Sequence, residues 1–90
     1  MFYVYILRSL KNNKLYTGFT SNLKQRVGQH FSKGVHTTSR MGEIELLYYE
    51  AFKDRADATE GEGYLKTTKG KRTLRLMLKN SLAPLSSSLV

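Results

Sequence analysis

The sequence predicts one small mixed domain of three strands and three helices, opening on an antiparallel hairpin. Three observations predict it. Phe2-Tyr3-Val4-Tyr5-Ile6-Leu7 is a near-continuous aromatic and β-branched run of strand length. A turn signal, Lys11-Asn12-Asn13-Lys14, separates it from a second such run. Beyond that, apolar residues recur at helical spacing after residues that cap helices well.

Taken in order, Leu15 to Phe19 is the second strand. Asn22 to about Lys33 is a helix, with Asn22 as cap, Gln25 able to reach back to it, Leu23, Val27 and Phe31 as apolar stripe and Gly34 as stop. Val35 to Gly42 is a polar loop, and Ile44 to Phe52 is the third strand. Asp54 or Asp57 caps a second helix running to about Thr67. Gly70 breaks the chain, and a third helix spans about Lys71 to Asn80. Residues 81–90 hold the only proline and three consecutive serines, and are expected to be a flexible tail to a domain spanning 1–80.

Ninety residues set one domain with a modest core, and a 40% hydrophobic share argues against disorder. No cysteine means no disulfide framework and no zinc knuckle. The N-terminal apolar run is too short for a signal sequence or a bilayer span, so a soluble, cytoplasmic protein is expected. Fifteen Lys and Arg against seven Asp and Glu leave a net charge of +8. So high a charge on so small a domain attracts polyanions, nucleic acid foremost.

Within this frame a few residues are awkward for mere folding. With a two-residue turn at Asn12-Asn13, Lys11 pairs with Lys14 and Leu7 lies opposite Gly18. Tyr3, Tyr5, Tyr16 and Gly18 then share one face of the hairpin. Gly18 leaves a gap there through which a ligand backbone can approach. Arg26 and His30, four apart, stand on one helix face. An arginine grips phosphate bidentately, and a histidine relays protons near neutral pH. Glu62 follows Ala58 and precedes Leu65 on an apolar helix face, where a carboxylate has to be paired, hydrated or bound to a metal. A Mg²⁺ ion suits it, and so does a salt bridge to a nearby Lys or Arg. The surplus cations Lys24, Lys66, Lys69, Lys71, Arg72, Arg75 and Lys79 are candidates for holding a polyanion backbone; Lys71, Arg75 and Lys79 form a stripe, with Leu74, Met77 and Leu78 on the packing side.

The set Tyr5, Tyr16-Thr17-Gly18, Arg26, His30 and Glu62 resembles the GIY-YIG nuclease family, and among its members the small stand-alone bacterial ones. The likeness runs from about Phe2 to Asn80. It implies a three-stranded antiparallel sheet flanked by helices and metal-dependent cleavage of phosphodiesters, DNA before RNA, with a repair or recombination role. It also implies roles: Tyr5, Tyr16 and Gly18 match the two half-motifs, and Arg26 the arginine on the scissile phosphate. His30 matches a histidine or tyrosine position, Glu62 the glutamate holding one Mg²⁺ or Mn²⁺, and Asn80, with Tyr3, a supporting position. Tyr16 would take the proton of the attacking water, while Tyr5 and His30 orient water and phosphate.

The chain departs from the pattern in three places. The first half-motif reads Tyr3-Val4-Tyr5, without the glycine and isoleucine. Phe19 stands where several relatives have lysine. Gly61 and Gly63 flank Glu62 where basic residues are usual. Two glycines inside a helix cost about 1 kcal/mol each relative to alanine. They support an alternative, a non-catalytic nucleic-acid-binding module with a degenerate metal site. A small protein-interaction domain whose charge serves solubility is the other alternative. With two histidines, no cysteine and one convincing metal carboxylate, ββα-metal and two-metal carboxylate sites have no support.

Overall fold

The hairpin forms as the pattern predicts, but its turn is longer than two residues, and this changes which side chains meet. The computed structural model describes residues 1–32, 34 and 36–82, with His36 and Thr37 described by backbone alone. Strands β1 (Phe2–Ser9) and β2 (Leu15–Thr20) run antiparallel. Ser9 N–H donates to the Lys14 carbonyl and Asn13 N–H to the Ser9 carbonyl, both at 2.9 Å. Asn13 takes φ 62°, a left-handed conformation that asparagine tolerates better than most residues. The longer loop slides the register by two, so Tyr5 faces Gly18 and Leu7 faces Tyr16. The expected Leu7–Gly18 pairing is therefore corrected. A slip of two preserves parity, and Tyr3, Tyr5, Tyr16 and Gly18 still share a face.

Strand β3 (Ile44–Phe52) pairs antiparallel with the other side of β1, giving the order β2-β1-β3. A register irregularity between Ile6 and Leu7 leaves Leu47 as an extra residue. The central position of β1 explains its continuous apolar run, since Val4, Tyr5, Ile6 and Leu7 are all buried.

The two sheet faces are covered by different helices. Helices α3 (Arg55–Leu65) and α4 (Thr68–Met77) pack Ala58, Leu65 and Leu74, with Leu78 just beyond, onto Val4 and Ile6. Asp54 caps α3 by accepting from Ala56 N–H at 2.7 Å, and Thr67 caps α4 by accepting from Gly70 N–H at 3.0 Å. Helix α4 thus starts three residues earlier than expected. Gly70 does not break the chain: it sits buried in the first turn, where a Cβ would run into the Tyr64 carbonyl. Glycine is required there by the close approach of two helices, not by a turn. At the other end α4 stops at Met77, so Lys79 and Asn80 lie in the turn after it and the Lys71–Arg75–Lys79 stripe loses its last member. Met77 is exposed, and Leu74 and Leu78 do the packing.

The opposite face carries α1 (Leu23–Phe31), capped by Asn22 through Gln25 N–H at 3.1 Å, and a one-turn helix α2 (His36–Ser39) inside the expected loop. Val27 and His30 are the buried residues of α1, while Phe31 is 51% exposed. The inward stripe therefore ends on the histidine and not, as expected, on the phenylalanine.

Arg8, at the end of β1, is buried. It pairs with Glu45 of β3 and donates to the Ser81 carbonyl at 3.2 Å, while its Nε–H has no partner among the described residues. Leu82 packs against the apolar cluster. The first two residues of the expected tail are thus held to the domain, and 83–90 lie outside the described residues. Among the described residues no helix is long and apolar enough to cross a membrane.

Candidate active site

Tyr5 is the centre of the polar face. It projects from β1 across β2, and its ring occupies the space a side chain at Gly18 would need: a Cβ there would collide with the phenol carbons and hydroxyl. The gap expected to admit a ligand backbone is therefore filled from within, and Gly18 is required so that Tyr5 can lie flat across the edge strand.

The Tyr5 hydroxyl meets His30 Nε2 at 2.7 Å, and His30 Nδ1 meets Thr38 Oγ1 at 2.7 Å. A neutral imidazole offers one donor and one acceptor, so one hydroxyl donates to the ring and the other accepts from it. The rings of Tyr5, Tyr16 and His30 form a triangle with centroids 6.3, 5.5 and 5.2 Å apart, both histidine contacts being edge-on. Tyr5, His30 and Thr38 are buried; Tyr16 and Arg26 are half-buried.

Burial sets the proton states. It pushes the Tyr5 phenol above its ordinary value, against the pull of the adjacent Arg26 guanidinium and with added push from Tyr16 and Glu62. Burial, reinforced by Arg26, holds His30 below the usual imidazole range. At neutral pH Tyr5 keeps its proton and His30 is uncharged. Arg26, donating to Gln29 Oε1 at 3.1 Å, is then the fixed positive charge beside these rings.

Glu62 stands on α3, near enough to Tyr5 to oppose ionisation of its phenol. It sits at the rim and not in the core: its side chain is 22% exposed and pairs with Lys66 Nζ at 3.2 Å, one helical turn on. No group of three or more His, Cys, Asp or Glu gathers among the described residues. One half-exposed carboxylate does not cage an ion, but it fits a hydrated Mg²⁺, which keeps several waters and takes one or two carboxylates plus phosphate oxygens.

The other candidates are placed as follows. Tyr3 packs edge-on against Tyr49 of β3 at 6.2 Å and is not part of the triangle. Asn80 is exposed in the turn after α4 and makes no side-chain hydrogen bond among the described residues. Lys24, Lys66, Lys69, Lys71, Arg72, Arg75 and Lys79 are all exposed. Gly61 and Gly63 are both inside α3. A Cβ at Gly61 would touch Phe52 at 3.4 Å, whereas Gly63 faces open space.

The structure also adds a residue that sequence reasoning missed. Thr38 lay in the expected loop, without periodicity to mark it. Its signal is indirect: a buried His30 needs a second partner, and the Thr37-Thr38-Ser39 run is the hydroxyl-rich segment that follows it.

Residues 1–75 match the GIY-YIG catalytic domain. A UPF0213 protein of Clostridium perfringens is 36% identical over 83 residues, covering 91% of this chain and 88% of that protein. One from Pediococcus acidilactici is 38% identical over 84 residues, covering 90% and 85%. The solution structure of a UPF0213 protein from Bacillus halodurans superposes with a TM-score of 0.53 at 32% identity, covering 86% of this chain and 85% of that one. The GIY-YIG family is endonuclease-type, acts on nucleic acid and depends in general on a divalent metal. On the match across most of its length and the shared fold, the chain belongs to the GIY-YIG family, beside the UPF0213 proteins.

Proposed function

We propose that the protein is a metal-dependent endonuclease that hydrolyses phosphodiester bonds in nucleic acid, DNA before RNA, in repair or recombination. The observation that carries this reading is the meeting of Tyr5, Tyr16, Arg26 and His30 from three elements, with Glu62 acting on the same phenol from a fourth.

The residues divide by exposure. Arg26 and Tyr16 are reachable from solvent and face the substrate. Arg26 binds the non-bridging oxygens and offsets the charge that grows on them. Tyr16 takes the proton of the attacking water, directly or through a second water. A free phenol has a pKa near 10, so this role depends on nearby positive charge. Tyr5 and His30 are too buried to touch a phosphate; they hold the Tyr16 ring and the guanidinium in place, and Thr38 holds His30. Glu62, released from Lys66, would hold the Mg²⁺ or Mn²⁺ ion, whose chemistry when bound is to polarise the phosphate and stabilise the leaving oxygen.

Glu62→Gln tests the reading. It is expected to remove divalent-dependent cleavage of duplex, flap, nicked or single-stranded substrates and to leave binding in EDTA nearly intact. Undiminished cleavage would remove Glu62 from the site. The Glu62–Lys66 pair and the two flanking glycines favour a second reading, a nucleic-acid-binding module without turnover. Paramagnetic broadening by Mn²⁺ separates the two: broadening centred on Glu62, Tyr5 and Tyr16 supports the enzyme, and none supports the module.

A further inference from the structure

A groove of about 260 Å³ lies between the hairpin and α4, lined by Lys14, Leu15, Thr17, Lys71, Leu74 and Arg75. It is on the other side of the sheet from the Tyr5–His30 face, because Leu15 and Thr17 alternate with Tyr16 along β2. Its floor is apolar, with Leu74 buried, and its walls are three exposed cations. The ion pairs among the described residues are Arg8–Glu45 and Lys66–Glu62, so none of these three cations is neutralised by an acid. Lys71 and Arg75 stand one turn apart on α4, where like charges work against the helix. Lys14, from the hairpin, adds a third charge to the same space.

We infer that Lys14, Lys71 and Arg75 form a second phosphate-binding groove that holds the backbone of the same nucleic acid whose scissile phosphate lies at Arg26. The inference rests on the nuclease reading for the occupant's identity. The argument for a polymer, as against a free phosphate or a mononucleotide, is positional. β2 is an edge strand, with Tyr16 on one side of it and Leu15 and Thr17 on the other. A chain of phosphates that passes around this edge strand can reach the cleft on one face and the groove on the other, whereas a single phosphate can occupy only one of them. The contacts are to charge and not to base edges, so the groove holds substrate without reading sequence.

The test is the salt dependence of binding, read by fluorescence anisotropy with a labelled duplex and a labelled single strand in EDTA, so that no turnover is needed. Each phosphate contact contributes about 0.9 to the slope of log affinity against log salt on duplex DNA. The triple variant Lys14→Gln/Lys71→Gln/Arg75→Gln is expected to weaken binding at low salt and flatten the slope by about 2–3. Lys14→Gln alone is expected to flatten it by about 1. Arg40→Gln/Lys53→Gln, which removes exposed cations elsewhere, should flatten it less per charge removed. A triple-variant slope equal to the parent's, or a loss per charge equal to that of the Arg40/Lys53 variant, overturns the groove. Polyglutamate that binds the parent with the same dependence on these three residues overturns the nucleic-acid occupant in favour of an acidic protein. Failure of the nuclease reading would appear elsewhere, as no divalent-dependent cleavage by the parent protein, and would leave the anisotropy result standing.

Discussion

The two faces of the sheet follow opposite plans, although β1 supplies both. Its even residues Val4 and Ile6 enter an apolar layer closed by Ala58, Leu65, Leu74 and Leu78. Its odd residue Tyr5 enters a layer of hydroxyls, imidazole and guanidinium. A step of one residue thus moves from non-directional packing to a directional network in which each buried polar atom depends on a particular partner. Losing a methylene from the apolar face costs burial and leaves a void, but strands no polar atom. The polar face cannot lose a hydroxyl without leaving a nitrogen unpaired. The comparison teaches that folding and chemistry are separable here by strand parity.

The largest effects test that separation directly. Ile6→Ala should cost about 2–5 kcal/mol of stability through lost burial and the cavity left behind. Turnover per folded molecule should stay near the parent's. Arg26→Ala should do the reverse: cleavage falls about 10²–10³-fold, the scale of removing one preorganised donor, while melting moves little. Arg72→Ala, an exposed cation on α4, should change cleavage far less than Arg26→Ala. Melting and single-turnover cleavage on the same samples check all three. Equal loss of turnover in Ile6→Ala and Arg26→Ala would mean that the faces are not separable.

A smaller effect sharpens the picture of the polar face. Tyr5→Phe should cost about 1–3 kcal/mol, because it leaves a buried imidazole nitrogen without its partner. The pH dependence follows from His30, whose folded pKa is lowered. Between that value and about 6.5, the unfolded chain binds the proton and the folded one does not. Stability from this group is therefore complete above about 6.5 and falls as pH drops through the folded value, with a slope of at most about 1.4 kcal/mol per pH unit. His30→Gln should flatten the curve just below about pH 6.5. Denaturant titrations at several pH values check this, and an unchanged slope would place the titration elsewhere.

The same contrast decides what was legible in the sequence. Period and capping are local, so the strands, the caps Asn22 and Asp54, and the shared face of Tyr5 and Tyr16 could be read directly. Parity survived because the register slipped by two and not by one. The slip itself was hidden in the backbone of Asn13, whose left-handed turn residue a tight two-residue loop does not specify alone. Phe31 outranked His30 as a core residue by hydropathy, yet partners 25 and 8 residues away in sequence draw the histidine inward. Gly70 carries the same letter as a helix stop, but its reason is a neighbouring helix's carbonyl. Glu62 was found by its place beside Ala58 and Leu65, and its Lys66 partner is the bland alternative that the sequence had left open.

The smallest expected effect lies on α3, which has the apolar face on one side and solvent on the other. Gly63 faces open space, so Gly63→Ala removes backbone freedom from the unfolded chain and touches nothing in the folded one. It should stabilise by about 0.5–1 kcal/mol. Gly61 turns toward the sheet, where a Cβ would meet Phe52 Cζ at 3.4 Å and Val4 Cγ2 at 4.0 Å. Gly61→Ala gains the same backbone contribution, and the tight Phe52 contact then decides how much of it remains, so its gain should be the smaller. An arginine at Gly61 is not a surface change, because its stem must pass Phe52 to reach water. A basic residue is therefore accommodated without meeting the sheet face at Gly63 and not at Gly61. Melting of the two alanine variants side by side measures the difference. Equal gains would mean that Phe52 yields freely, and that the apolar face is looser against α3 than its buried residues suggest.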